Sequence, residues 1–183
     1  MRFLFFCIVW KRGGDTMRFL RDYDRMAAVA YAHRWAFGRN PRFYDYENLG
    51  GDCTNFASQC IFAGCGIMNF TPTYGWYYID ANQKAPAWTG VEYLWNFLTR
   101  KNFSVGPAGE PCALEQLQPG DLIQLSFKGT GFQHTPIVVA VDSPASAENI
   151  LVAAHSYDAD NRPLASYEYR QARFLHITGT IRP

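Results

Sequence analysis

Apolar residues recur at helical spacing in the first half of the chain. One such stretch covers residues 17–37 and stops at Gly38, a residue type that commonly closes a helix. A second apolar stripe follows Asp52, a good N-cap residue, and runs to Gly64. A third helix is predicted over residues 88–98. The first half of the chain is therefore expected to be mainly helical.

The second half of the chain has the patterns of β-strands. Residues 123–127 alternate between apolar and polar side chains, which predicts a half-buried strand. Residues 134–141 are apolar on both faces and predict a central strand, with Pro136 at a bulge or a non-pairing position. Further strands are predicted over 150–155 and 173–181. Helices followed by an antiparallel sheet form an α+β arrangement.

The chain has 183 residues, a length typical of one domain. Residues 1–16 contain a short apolar stretch between basic residues, but no small-residue cleavage site follows it. Met17 then begins the first predicted helix. We therefore expect 1–16 to be a non-native or dispensable extension, and 17–183 to be the domain. Because the stretch is not a convincing signal peptide, the sequence alone favours the cytoplasm.

Composition and charge argue against nucleic acid as a partner and against a membrane-spanning segment. Charged residues make up 18% of the chain and the net charge is +1, without the concentrated basic face that nucleic-acid binding needs. No apolar run approaches the roughly 18 residues of a membrane-spanning helix, so no integral membrane segment is expected. The five cysteines include no C-x-x-C pair. We expect neither a metal nor a cofactor; oligomeric state is left open.

Cys53 lies in the first turn of the second predicted helix. Unpaired backbone N–H groups and the helix dipole favour a thiolate there and predict a lowered pKa. The same N–H groups can stabilise an oxyanion, with Gly51, Asp52 and Thr54 supporting the turn and the oxyanion site. Asp52 is expected to cap the N–H of Thr54 or of Asn55. Cys53 is thus a candidate nucleophile; a buried helical cysteine is the alternative.

Two histidines are placed to work with this thiol. His134 opens the predicted central strand, and His155 closes the next one. If Asp142 pairs with Asn149, the two histidines share one side of the sheet. A register shifted by one residue would bring Asp158, instead of His155, to the side of the sheet that carries His134.

Several of these residues stand in motifs that also resemble a known family. The motif residues, in chain order, are Tyr31-Ala32, Asn40-Pro41, Tyr44, Gly51-Asp52-Cys53-Thr54-Asn55-Phe56, Ser58-Gln59, Trp88, Pro119-Gly120-Asp121, His134, and His155 with Asp158, Asn161, Arg162 and Pro163. Their order over residues 23–164 resembles the putative amidase domain family of bacteria. That family belongs to the papain-like clan, which includes peptidoglycan amidases and endopeptidases.

The resemblance implies a papain-like fold, with N-terminal helices packed on an antiparallel sheet and the nucleophile at a helix N-terminus. It implies Cys53 as nucleophile, His134 as base, and a polar third residue on the following strand, which matches His155; Asp158 is the alternative. It implies hydrolysis of amide bonds in peptides or peptidoglycan, at the cell envelope or outside the cell. Two other functions stay open. One is an acyltransferase or transpeptidase that uses the same site, and the other is a non-catalytic module that binds the cell wall.

An aromatic segment precedes the third predicted helix. Trp76, Tyr77 and Trp88 could wall a groove for a peptide or glycan strand, or they could simply pack over the sheet.

Overall fold

The computed structural model describes residues 19–102 and 104–183. Its α-helices are α1 (Arg25–Trp35), α2 (Cys53–Cys65), α3 (Pro86–Thr89) and α4 (Val91–Leu98). Its strands are β1 (Phe19–Arg21), β2 (Gly106–Cys112), β3 (Leu122–Ser126), β4 (Ile137–Val141), β5 (Ile150–Ala154), β6 (Ala159–Pro163) and β7 (Gln171–Arg182). The extension proposed for residues 1–16 lies outside the described residues.

All described strands join one antiparallel sheet. Its order is β1-β7-β3-β4-β5-β6, and β2 also pairs with the long strand β7. Helices on an antiparallel sheet confirm the predicted α+β class. No helix in the described part of the chain is both long and apolar enough to cross a bilayer.

The predicted first helix is shorter than its apolar pattern suggested. Phe19–Arg21 forms β1, which pairs with the end of β7. Helix α1 begins after Asp24, whose side chain accepts a hydrogen bond from the N–H of Ala27 at 2.9 Å. This N-cap fixes the start of the helix. The predicted third helix is likewise divided, since Gly90 separates α3 from α4.

Two hydrophobic clusters cover opposite faces of the sheet. The helix-side cluster contains Phe56 of α2 together with Leu122 and Ile137, while the second cluster contains Ile123 and Leu125. Side chains of successive strand residues therefore enter different clusters. Strand β3 is buried along its whole length, so the half-buried strand predicted here is corrected.

The register between β4 and β5 changes along the hairpin. Val141 lies opposite Ile150, in line with the predicted pairing of Asp142 with Asn149. A bulge between Val138 and Ala140 then shifts the register by one residue. Pro136 lies just before β4, and its carbonyl accepts a hydrogen bond from the N–H of Ile123 at 3.0 Å. Proline has no N–H to donate, so a position outside the regular pairing suits it. The shifted register holds at the start of β4, which is the end nearest to His134.

Candidate active site

The Cys53 thiol lies in the first turn of α2, as predicted, and only 6% of the residue is exposed. The N–H of Phe56 donates to the Asp52 carbonyl at 2.9 Å. The N–H groups before it have no carbonyl partner within the helix. Backbone groups of Thr54 and Thr135 lie close enough to the sulfur to lower the pKa of the thiol. The thiol itself donates to the carbonyl of Gln133, 3.9 Å away.

Burial decides the protonation state of this thiol. It raises the pKa of Cys53, and the Asp52 carboxylate adds to the effect, while hydrogen bonds from Thr135 and Thr54 oppose it. The lowered pKa predicted from the helix terminus is therefore corrected, because desolvation outweighs the N–H donors. The resting sulfur is a protonated thiol.

His134 is a neutral imidazole in the same region. Its ring lies between those of Phe127 and Tyr167, at centroid distances of 6.1 and 5.5 Å. Its Nε2 atom is buried without a hydrogen-bond partner. Burial lowers the pKa of His134 to about 4, and the positive charge of Arg162 acts in the same direction. The ring is therefore unprotonated at neutral pH, and its surroundings disfavour the imidazolium.

Cys53 and His134 line one cleft of about 810 Å³. The hydroxyl oxygens of Thr54 and Thr135 are 3.2 Å apart and connect α2 to the strand segment that carries His134. No hydrogen bond between the thiol and the imidazole is present among the described residues. The two groups thus share a cleft without being paired in the resting structure.

The two histidines that were expected on one side of the sheet lie on opposite faces. His134 bridges to Leu125 and therefore shares the face of the second cluster. His155 stacks on Phe56 of α2, with ring centroids 4.0 Å apart, on the helix side. The one-residue shift at the β4–β5 bulge accounts for this difference.

His155 has partners other than His134. Its Nδ1 lies 2.5 Å from Oδ2 of Asp52, and its Nε2 donates to the carbonyl of Trp35 at 2.9 Å. Both side chains of the Asp52–His155 pair are 1% exposed. With both ring nitrogens bonded, His155 fixes Asp52, the residue before Cys53, and does not orient His134 here.

Asp52 occupies the N-cap position but makes no side-chain cap hydrogen bond. Its Oδ1 accepts instead from the backbone N–H of Tyr46 at 2.9 Å and from the side-chain amide of Asn55 at 2.8 Å. The predicted bond to the backbone N–H of Thr54 or Asn55 is therefore corrected. The Asp52 side chain therefore leaves the first N–H groups of α2 uncapped.

Asp158 also lies apart from His134. Its carboxylate makes a two-pronged ion pair with Arg39, with both oxygens 2.9 Å from guanidinium nitrogens. The alternative third residue is thus engaged at the surface, where 34% of its side chain is exposed.

Gly51 adopts the tight turn that the sequence predicted. Its φ of 103° lies in the left-handed region, and an added Cβ would be 3.0 Å from the hydroxyl oxygen of Ser156. That hydroxyl accepts from the N–H of Asp52 at 2.8 Å and donates to Glu47 at 3.0 Å. The backbone that leads into Cys53 is therefore tied to the turn after β5.

Comparison with known proteins identifies the family. Residues 22–178 match the family model described as "Putative amidase domain". The chain belongs to this family. The family description indicates, at a general level, hydrolysis of an amide bond, and the match covers the residues on which the resemblance was based.

The amidase domain also has a curated relative. A stretch of 143 residues is 36% identical to the uncharacterized protein YhbB of Bacillus subtilis strain 168. The alignment covers 77% of this chain and 44% of that protein, so the chain spans less than half of the relative's length. No solved structure matches the chain.

The proposed aromatic groove is not part of the cleft of the amidase domain. Trp76 and Trp88 are fully buried in the helix-side cluster, where their ring N–H groups donate to Ser58 and Asn55. Tyr77 stacks on Phe70, with ring centroids 5.3 Å apart, and does not line the cleft. These aromatic side chains pack the fold, which was the structural alternative.

Other residues of the cleft were missed by sequence reasoning. Arg162 and Tyr167 come from β6 and from the segment before β7. Their position at the cleft depends on long-range packing, although Arg162 belongs to the motif residues on which the family resemblance was based. Within the described residues, no group of three His, Cys, Asp or Glu side chains lies together as a metal site.

Proposed function

We propose that this amidase domain is a cysteine-dependent amide hydrolase in which Cys53 is the nucleophile and His134 the base. One observation carries the proposal: a thiol in the first turn of a helix, facing N–H donors, shares a cleft with a neutral imidazole whose buried Nε2 has no partner. A nucleophile, a proton acceptor and oxyanion donors are the parts that acyl transfer requires.

The first half of the reaction starts from a thiol and a neutral imidazole. As the sulfur attacks the carbonyl carbon, its proton passes to His134 and a carbon–sulfur bond forms. N–H groups in the first turn of α2 stabilise the oxyanion. The carbon–nitrogen bond then breaks, and His134 returns the proton to the leaving amine, which leaves a thioester on Cys53.

Water completes the reaction. It attacks the thioester carbonyl while His134 takes its proton, and collapse of the intermediate releases a carboxylic acid and the Cys53 thiol. Catalytic hydrogen bonds are often missing in free enzymes and form in the substrate complex. The proposal therefore requires that the imidazole closes on the thiol when substrate binds.

The buried Asp52–His155 pair has a positioning role in this scheme. It fixes the residue before Cys53 to Trp35 at the end of α1. A nucleophile on a rigid support loses less free energy in reaching the reactive geometry. We assign His155 to positioning of the nucleophile and not to proton transfer.

The same features favour a papain-like fold, with the nucleophile at a helix N-terminus and the base at the start of a neighbouring antiparallel strand. By the same resemblance we propose peptidoglycan stem peptides, or the bond between lactate and the first amino acid, as the substrate. Family resemblance is what supports this substrate class.

Digestion of purified peptidoglycan tests the proposal. The wild type should release fragments with a new amine and a new carboxylate at one amide bond, identified by mass spectrometry. Cys53→Ala should release none, whereas Cys112→Ala, at the half-exposed end of β2, should match the wild type. Equal release by Cys53→Ala would exclude the cysteine mechanism, and absence of fragments with the wild type would exclude the substrate.

A further inference from the structure

Among the described residues, Arg162 is the one lysine or arginine that lines the cleft of Cys53 and His134. Its guanidinium lies 3.9 Å above the centre of the Tyr167 ring. Its Nε donates to the hydroxyl of Ser166 at 2.7 Å, and its Nη2 donates to the Ser166 carbonyl at 3.0 Å. The side chain is thus held in one orientation by its own neighbours.

No carboxylate pairs with Arg162 among the described residues, although other arginines are paired. Arg25, Arg39 and Arg173 lie 2.7, 2.9 and 2.9 Å from the carboxylates of Asp121, Asp158 and Glu92. Two carboxylates do line the cleft. Glu47 accepts from Ser156 and lies 3.8 Å from Arg39, while Glu168 is exposed. Arg162 therefore offers an oriented and unneutralised positive charge to whatever occupies the cleft.

The Tyr167 hydroxyl is a second free donor at this place. The residue is 8% exposed, and its hydroxyl is buried without a hydrogen-bond partner. Burial raises the pKa of Tyr167, although the charge of Arg162 acts in the opposite direction, so the hydroxyl keeps the proton that it could donate. A buried hydroxyl without a partner costs free energy that a ligand acceptor would recover.

We propose that Arg162 and Tyr167 form a carboxylate-binding subsite, so that the preferred substrate carries a free carboxylate beside the scissile amide bond. Guanidinium and hydroxyl donors suit a carboxylate, and a charge-assisted hydrogen bond is stronger than one to a neutral amide. This inference rests on the proposed function, because it names the substrate of the same cleft.

Binding of a carboxylate here would also help the base. The charge of Arg162 disfavours a second positive charge on His134, whose ring is packed by Phe127 and Tyr167. A bound carboxylate neutralises Arg162, so that His134 accepts a proton more readily when the substrate is in place.

A pair of stem peptides that differ in one group tests the subsite. One peptide has a free carboxylate on the residue next to the scissile bond, and the other has a carboxamide there. The wild type should cleave the free acid with a kcat/KM about 10- to 100-fold higher, as expected for one hydrogen bond to a charged group. Arg162→Gln should reduce this preference to within about 3-fold by slowing cleavage of the acid.

Two further variants complete the test. Arg162→Lys keeps the charge and should keep part of the preference. Arg170→Gln changes an exposed arginine outside the cleft and should behave as wild type. A wild type without preference, or an Arg162→Gln variant that slows both peptides equally, would overturn the proposal.

Equilibrium binding separates this inference from the proposed mechanism. In the Cys53→Ala background, calorimetry should give tighter binding of the free acid than of the carboxamide, and Arg162→Gln should abolish the difference. Turnover that survives Cys53→Ala would contradict the nucleophile but leave the subsite intact. Equal affinities for the two peptides would contradict the subsite whatever the fate of the nucleophile.

Discussion

The Cys53 thiol and the His134 imidazole lie in surroundings that keep both groups neutral. Burial raises the pKa of the thiol and lowers that of the imidazole, so the proton stays on sulfur in the resting state. An enzyme with these groups would act by general-base catalysis as sulfur attacks, and not from a preformed thiolate–imidazolium pair.

Alkylation of Cys53 should therefore depend on alkaline pH. The thiolate is the reactive form, and a raised pKa confines it to pH values above the ordinary thiol value of 9.0. Iodoacetamide labelling, followed by peptide mapping, should increase through pH 9 with no plateau at mildly acidic pH. The half-exposed Cys112, whose pKa burial raises to about 11, provides an internal comparison. Rapid labelling of Cys53 at mildly acidic pH would show that the ion pair forms in the free protein.

His155→Ala and Asp158→Ala should differ sharply in stability. Loss of His155 removes the nearest ion-pair partner of the buried Asp52 carboxylate and leaves Arg39, 3.9 Å away, as a more distant one. Breaking a buried pair typically costs about 3–5 kcal/mol in the free energy of unfolding. Loss of Asp158 removes a partly exposed pair with Arg39 and should cost about 1 kcal/mol or less. Urea unfolding of the two variants measures the difference. Similar losses would mean that the Asp52–His155 pair does not stabilise the fold as described.

At the scale of elements, the turn into α2 connects Cys53 to the sheet. Gly50 and Gly51 both have positive φ, but only Gly51 approaches Ser156, whose hydroxyl accepts from the N–H of Asp52. The position of the thiol therefore depends on a contact between this turn and the turn after β5.

Matched alanine variants test this connection. Gly50→Ala and Gly51→Ala both place a side chain in the left-handed region, where strain costs about 1 kcal/mol or more. Only Gly51→Ala also pushes against Ser156, since nothing lies within 4 Å of a Cβ at Gly50. We expect kcat/KM for amide hydrolysis to be about 10- to 100-fold lower in Gly51→Ala than in Gly50→Ala. Equal effects would mean that the Ser156 contact does not position Cys53.

Local signals predicted several elements and missed others. The start of α2 follows from Asp52 and the apolar stripe after it, and the irregular start of β4 follows from Pro136. Strand β1 was mistaken for helix because its pairing with β7 is a long-range contact. The β4–β5 bulge was likewise invisible in the apolar pattern, yet it decides on which face His134 lies.

At the scale of the whole molecule, the cleft forms where α2, the His134 segment and the chain between β6 and β7 meet. That Cys53 and His134 line it together is consistent with the prediction from motifs and local position. Arg162 and Tyr167 could not be assigned to it, because their placement depends on packing across the second cluster. The dispensability of residues 1–16 remains a prediction.

The account depends on a covalent intermediate, which mass spectrometry of acid-quenched reactions can detect directly. Mixed with stem peptide, the wild type should gain the mass of the acyl fragment, and peptide mapping should place it on Cys53. His134→Ala should form the adduct much more slowly, Cys53→Ala should form none, and Cys112→Ala should match the wild type. An adduct on another residue, or product formed by Cys53→Ala, would contradict the assignment of Cys53 as the nucleophile.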